Sequence, residues 1–232
     1  MKTITIGDTH GRDDWKQVVN QDFDKFIFIG DYFDSFSIPY KKQMENFLDI
    51  LEFKRQNMDK VILLIGNHDH HYTKEAMSKG EYYSGFQAAE SFQIQYCLMD
   101  ALRDNLLQMC HIEDSLLFSH AGVTKTWCNL HEIDLENLEQ SINDKYIYQP
   151  FAFRFNMGNT INYYGDSITQ SPIWVRPKSL KEDCIDGYMQ VVGHTRQDKV
   201  TFDDNLILID TLDAFKDYLI ITDGEITVEQ IN

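Results

Sequence analysis

Five short apolar runs in this sequence end in the same kind of signal, a small residue followed by an acid, an amide or a histidine. Thr3–Ile6 leads into Gly7-Asp8-Thr9-His10-Gly11, Phe26–Ile29 into Gly30-Asp31-Tyr32-Phe33-Asp34, and Val61–Ile65 into Gly66-Asn67-His68-Asp69. Leu116–Ser119 ends in Ser119-His120-Ala121-Gly122, and Met189–Val192 leads into Gly193-His194-Thr195. One such ending is ordinary turn chemistry. Turns favour Asn, Asp, Ser and Gly, however, and have no particular use for histidine, yet four of the five endings contain one. Carboxylate, amide and imidazole donors together suit manganese, iron, zinc or cobalt better than copper(I), which prefers sulfur. A carboxylate shared by two such cations holds them roughly 3.5–4 Å apart, an arrangement that clamps a phosphoryl group for in-line displacement.

Those side chains meet only if the runs are strands of one α/β unit. Thr3–Ile6, Phe26–Ile29 and Val61–Ile65 are nearly continuous apolar runs, as expected of strands covered on both faces. Ligands of such sheets collect at the carboxyl ends of the strands, and a small residue there lets the chain turn sharply. Helical spacing predicts helices over Tyr40–Arg55, Gln87–Leu107 and Asp134–Ile142. After Gly193 the pattern turns to strands at Lys199–Phe202, Leu206–Ile209, Tyr218–Thr222 and Glu225–Val228, and Asp223-Gly224 signals a hairpin. Ile147–Pro177 is the least regular stretch. Neither a repeat nor a Pro/Gly/Ser linker interrupts the chain, so residues 1–232 read as one domain.

Composition limits the function classes. Of 232 residues, 43% are apolar and 25% charged, which excludes whole-chain disorder and low complexity. The apolar runs are too short to span a bilayer, so no membrane role is expected. The 37 acidic against 21 basic residues give a net charge of −16. A phosphate backbone would be repelled, no basic stripe with interleaved aromatics is present, and a nucleic-acid partner is not expected. An anionic substrate would need a local positive site, such as bound divalent cations. Cys97, Cys110, Cys128 and Cys184 form no C-x-x-C pair and read as free thiols of a reducing compartment. A strand from Lys2 and a candidate ligand at Asp8 leave no room for a signal peptide. The expected location is cytoplasmic.

In residues, order and spacing from Asp8 to Thr195, the five motifs resemble the calcineurin-like metallophosphoesterase superfamily. Within it, the single-histidine ending at His194, with Arg196 where many members carry a second histidine, and the Ser119-His120-Ala121-Gly122 segment resemble the serine/threonine phosphoprotein phosphatases. The small bacterial and phage members and the neighbouring diadenosine tetraphosphatases are the nearest in pattern. The resemblance implies a four-layer α/β/β/α sandwich with central mixed β-sheets. It implies two divalent metal ions, manganese first, with iron, zinc or cobalt admissible. One would be held by Asp8, His10 and Asp31, the other by Asp31, Asn67, His120 and His194, with Asp31 bridging. His68 matches the general acid and Asp34 the carboxylate that orients it. The implied activity is hydrolysis of phosphate monoesters, as of a phosphorylated protein substrate, by a hydroxide that the two metals activate. The alternative is a nucleotide hydrolase of the diadenosine tetraphosphatase type.

The sequence also departs from that pattern. Ser35-Phe36 stands where Arg-Gly usually follows Asp34, and Asp69 where the phosphoprotein phosphatases usually have Glu. Pro172-Ile173-Trp174-Val175-Arg176-Pro177 resembles a segment of bacterial members whose arginine grips phosphate, which makes Arg176 the candidate substrate-binding residue. An adenine would need an aromatic platform, for which Tyr32, Phe33, Phe36, Tyr40 and Trp174 are the candidates. His70 and His71 read as solvated loop residues and His111 as structural. A degenerate binding module is disfavoured, because the six ligand positions and His68 are all present.

Overall fold

In the computed structural model, which describes residues 1–156 and 165–231, the apolar runs form strands. In chain order the elements are β1 (Lys2–Ile6), β2 (Lys25–Phe28), α1 (Tyr40–Gln56), β3 (Val61–Leu63), α2 (Asn67–His70) and α3 (Lys74–Ser78). Then come α4 (Ser91–Arg103), β4 (Cys110–Glu113), β5 (Leu116–Ser119), α5 (Lys125–Leu130), α6 (Leu138–Tyr148) and α7 (Pro177–Glu182). The chain closes with β6 (Met189–Val192), β7 (Thr201–Asp203), β8 (Leu206–Leu208), β9 (Asp217–Thr222) and β10 (Glu225–Gln230).

The strands make two mixed five-stranded sheets, ordered β10-β9-β1-β2-β3 and β4-β5-β6-β8-β7. β1 pairs in parallel with β2, and β2 with β3, while β9 runs antiparallel to β1. In the second sheet β5, β6 and β8 are parallel, and β4 and β7 are antiparallel edges. Side chains alternate across each strand, and the alternation sorts the apolar residues into layers. Ile27, Ile29, Ile62 and Leu64 of the first sheet pack against Leu116, Phe118, Val191 and Ile207 of the second. Phe26, Phe28 and Leu63 point the other way, to Phe47, Ile50 and Leu51 of α1 and Ile94, Leu98 and Ala101 of α4. Beyond the second sheet, Val192, Leu206 and Leu208 meet Leu180 of α7, and Leu117 shares a core with Trp127 of α5 and Ile142 of α6. The result is helices, sheet, sheet, helices. Each fully buried Phe, Ile or Leu adds roughly 1.5–3 kcal/mol to the collapse.

Several boundaries differ from those the sequence predicts. Gln87 lies outside α4, because its N–H donates to Tyr72 Oη and its side chain reaches Asp34 and Gln43. At the other end Asn105 takes φ 54° and Leu106 N–H returns to Ala101 O, which stops the helix short of Leu107. α6 begins at Leu138 rather than Asp134, because the Asp134 carboxylate accepts from Glu136 N–H and Asn137 Nδ2 and holds that segment in a turn. β4 is an element that periodicity did not predict. Its His111 and Glu113 break the apolar pattern, and pairing with β5 is what makes it a strand. The Asp223-Gly224 hairpin is present, with positive φ at both residues joining β9 to β10.

Candidate metal centre

The loops after β1, β2 and β3 bring Asp8, His10, Asp31 and Asn67 to one rim, and those after β5 and β6 bring His120 and His194 to it from the second sheet. Four of the residues that gather here adopt left-handed backbone conformations: His10 (φ 42°), Asp31 (52°), Asp34 (67°) and His194 (61°). Such conformations are uncommon outside glycine, and they persist where the surroundings over-determine them. The glycines beside them serve close approach. A Cβ on Gly193 would overlap Asp8 Oδ1, and one on Gly66 would overlap Asp31 Oδ1.

Ligand atoms of Asp8, His10 and Asp31 form one convergent group. His10 Nδ1 faces Phe33 O at 2.5 Å, which makes Nδ1 the protonated nitrogen and leaves the Nε2 lone pair towards Asp31 Oδ2, 3.7 Å away. His120 repeats the device from the opposite sheet. Its Nδ1 faces Ile29 O at 3.1 Å, while Nε2 lies 2.9 Å from Asn67 Oδ1 and 3.3 Å from Asp31 Oδ2. His194 Nδ1 reaches the same Asn67 oxygen at 2.8 Å. Asp31 divides its work: Oδ1 accepts His68 N–H at 2.9 Å, and Oδ2 faces both His10 and His120. The donors thus form two sets that share Asp31 Oδ2. Ring nitrogens whose partners are backbone carbonyls are typical of metal-binding histidines, whose far N–H is fixed by an acceptor.

The electrostatics agree with that donor set. Burial, and then the neighbouring Asp210 and Asp31, hold the Asp8 carboxyl well above the usual carboxylate range. Burial pushes Asp31 the same way, but His120 and His68 outweigh it and hold it low. Burial, followed by Arg176, keeps His194 neutral, and burial also lowers His10. Neutral imidazoles beside crowded buried carboxylates are what a divalent cation would satisfy. The residues therefore fit a pair of such cations.

His68 sits at the edge of this group, with Nδ1 2.8 Å from Asp34 Oδ2. Burial lowers its pKa, yet Asp31 and Asp34 more than offset this and raise it to about 9. Asp34 is itself buried and held by more than His68. His71 Nε2 lies 2.6 Å from Oδ2, Tyr72 Oη donates to Oδ1, and Gln87 Nε2 approaches Oδ1 at 3.3 Å. The expectation of solvated His70 and His71 is therefore overturned: both are buried, and His70 Nδ1 lies 3.2 Å from Tyr146 Oη. His111 is structural as expected, paired with Glu139 at 3.0 Å.

Two clefts meet at His10 and His68. One also holds Tyr83, Phe155, Trp174 and Arg176, and Arg176 Nη1 donates to His194 O and Thr195 Oγ1 at 3.2 and 3.1 Å. The other holds Arg12, Phe36, Arg196, Asp210 and Asp213. The proposed aromatic platform is corrected accordingly. Tyr32 and Phe33 are fully buried, Tyr32 Oη donates to Leu64 O, and Tyr40 bonds to Gln93 away from both clefts. Phe36 and Trp174 do reach them, joined by Tyr83 and Phe155, which the sequence reading did not select.

Sequence reasoning placed Asp69 in the third motif without giving it a role, and missed Asp210. Asp69 accepts from the N–H groups of Asp31, Tyr32 and Gly66 at 2.8, 2.8 and 2.9 Å, which clamps two strand-end loops together. Asp210 directly follows the apolar run Leu206–Ile209, without the small residue that precedes the polar residue in the five motifs. Burial, and then Asp31, raise its pKa to about 6. A family model, calcineurin-like phosphoesterase, matches residues 1–154. Asp8, His10, Asp31, Asp34, Asn67, His68 and His120 fall inside that match, and Arg176 and His194 beyond it. Among curated proteins no relative matches the chain.

Proposed function

The chain belongs to the calcineurin-like phosphoesterase family, and from that membership and the rim geometry we propose a metal-dependent hydrolase of phosphate monoesters, of the phosphoprotein phosphatase kind. The observation that carries this reading is Asp31 Oδ2, which faces two separate sets of O and N donors, one from the first sheet and one completed by the second. Asp8, His10 and Asp31 hold one divalent cation in this reading, and Asp31, Asn67, His120 and His194 the other. Manganese suits these donors, as do iron, zinc and cobalt. When bound, the pair supplies Lewis-acid charge that polarises water and neutralises the phosphoryl oxygens.

The chain's own groups do the rest. His68 is kept in one orientation by Asp34 and gives its Nε2 proton to the departing oxygen. Arg176, braced on His194 O and Thr195 Oγ1, offers its guanidinium to the substrate phosphate in the cleft it shares with His194. The net charge of −16 disfavours nucleic acid as the substrate and leaves phosphorylated proteins or small phosphates. Four free cysteines are in keeping with a single domain that works in the cytoplasm.

One observation favours a second reading, a nucleotide hydrolase. Tyr83, Phe155 and Trp174 make an aromatic wall beside His194, with the Trp174 ring 4.4 Å from Tyr83 and 5.9 Å from His194. A base could stack there. Protein loaded with Mn²⁺ is to be assayed on p-nitrophenyl phosphate, a phosphoserine peptide and diadenosine tetraphosphate. The first reading expects metal-dependent turnover of the first two. Preference for the dinucleotide would install the second reading, and a metal-loaded protein inert on all three would refute both.

A further inference from the structure

The cleft that His10 and His68 share with Phe36 contains two guanidiniums to which the proposed mechanism gives no role. Arg12 follows the first metal-ligand loop directly, and Arg196 stands two residues after His194, so the loops that carry candidate ligands also deliver these cations. Arg12 donates to Asp213 and, at 3.4 Å, to Thr9 O, while Arg196 Nη2 lies 3.4 Å from Asp213 Oδ2. One carboxylate between them aligns both forks. Two guanidiniums carry more N–H donors than a single carboxylate can accept. Phe36, 84% exposed, lines the same cleft with His10 and His68. The cleft has a volume of about 410 Å³, enough for a substituent rather than a single ion.

We propose that Arg12 and Arg196 form a second anion subsite on the leaving-group side of the metal centre, with Phe36 as its aromatic floor. The inference rests on the phosphoesterase reading and adds a substrate class to it: small organic phosphates whose leaving group carries a further phosphate, with a planar ring beyond that. His68 lines both clefts, but Asp8, Asp31, Asn67, His194 and Arg176 line the other one, where the scissile phosphate would sit, so the cleft of Arg12 and Arg196 lies beyond His68 on the side of the departing group. In a molecule of net charge −16, the arginine and lysine side chains among the described residues lining the two clefts are Arg12, Arg196 and Arg176. Two of the three therefore face the departing group rather than the scissile phosphate alone. Arginine forks suit phosphate oxygens in bidentate geometry.

The test compares kcat/KM of Mn²⁺-loaded protein on phenyl phosphate, pyrophosphate and ADP. These offer, in order, no second anion, a second phosphate, and a second phosphate with a base. Arg196→Ala is the first variant, because its side chain is 64% exposed and its loss leaves the core intact. It should lower the pyrophosphate-to-phenyl phosphate and ADP-to-phenyl phosphate ratios about tenfold, the weight of one charge-assisted contact. Arg12→Ala should do the same, and Phe36→Ala should lower ADP relative to pyrophosphate. Equal losses on all three substrates, or unchanged ratios, would overturn the subsite. Binding of α,β-methylene-ADP to the Mn²⁺-loaded proteins, measured by calorimetry, reads the subsite without turnover. Wild type inert on every substrate would sink the phosphoesterase reading, whereas an affinity that ignores both arginines would sink this one. A phosphopeptide with flanking acids that responds to Arg196→Ala more than ADP does would also count against it.

Discussion

Asp34 is a buried carboxylate surrounded by donors, and its chemistry follows from that. His68, His71, Tyr72 and Gln87 all approach its two oxygens, which keeps it ionised and stops the His68 ring from rotating. An acid held that way matters in proportion to how poor the leaving group is. His68→Asn should therefore lose on the order of 10²–10⁴-fold in kcat on phenyl phosphate, and far less on 2,4-dinitrophenyl phosphate. Steady-state rates on both esters, with metal content checked, measure it, and equal losses would remove His68 from the proton transfer. His70 titrates differently. Burial, and then His71, depress its pKa from 6.5 to about 3. Between those values the unfolded chain binds a proton that the folded chain refuses. Stability is thus complete above 6.5 and falls as pH drops towards 3, by up to about 1.4 kcal/mol per pH unit from this group. His70→Gln should flatten the fall in urea stability of metal-free protein between pH 7 and pH 5. A slope identical to wild type would assign the acid sensitivity to the carboxylates instead.

At the level of elements, the site consists of loop ends held in register by a few buried polar groups, Asp69 foremost. It accepts three backbone N–H groups from the loops after β2 and β3, so its removal strands three buried donors at once. Asp69→Ala should cost on the order of 3–5 kcal/mol, and Asp69→Asn less, because one acceptor oxygen survives. Urea melts of metal-free protein read both, and a loss under about 1 kcal/mol for the alanine would show that the loops hold themselves. The strands that position the ligands were legible because their apolar runs are dense and each ends in a small residue before a polar one. Asp210 lacks that small residue, since it follows Ile209 directly, and its run sits among later strands that read as a meander. His71 and Tyr72 carried no signal at all. Four polar or aromatic residues after Gly66-Asn67-His68 look like a solvated loop. They become core only because Gln87 and Tyr146, distant in sequence, fold over them. β4 was hidden for a related reason, since a strand with His111 and Glu113 on it has no apolar periodicity of its own. The left-handed turns at His10, Asp31, Asp34 and His194 likewise come from packing, because none of these residues demands positive φ.

Across the whole molecule, the candidate ligands are divided between the two sheets: Asp8, His10, Asp31 and Asn67 from the first, His120 and His194 from the second. A cation held by both sets would fasten the two layers together, in addition to the apolar contacts of Ile29 and Ile62 with Phe118 and Val191. Metal-free, the same place is a burden, because Asp8, Asp31 and Asp210 crowd one buried region of a molecule that already carries −16. The two conditions should pull one substitution in opposite directions. Mn²⁺ at about 100 times its Kd should stabilise wild type by roughly 2.7 kcal/mol, or about 5–10 °C in Tm for a chain of this size. Asp8→Asn should raise the Tm of metal-free protein slightly by relieving the crowding, and should lose most of the Mn²⁺-induced rise. Thermal melts in EDTA and in Mn²⁺ measure both effects on the same samples. A variant that keeps the full rise would place the cation away from Asp8. One that is destabilised in EDTA would mean that Asp8, through its bonds from the His194 N–H, is needed for the fold before any metal arrives.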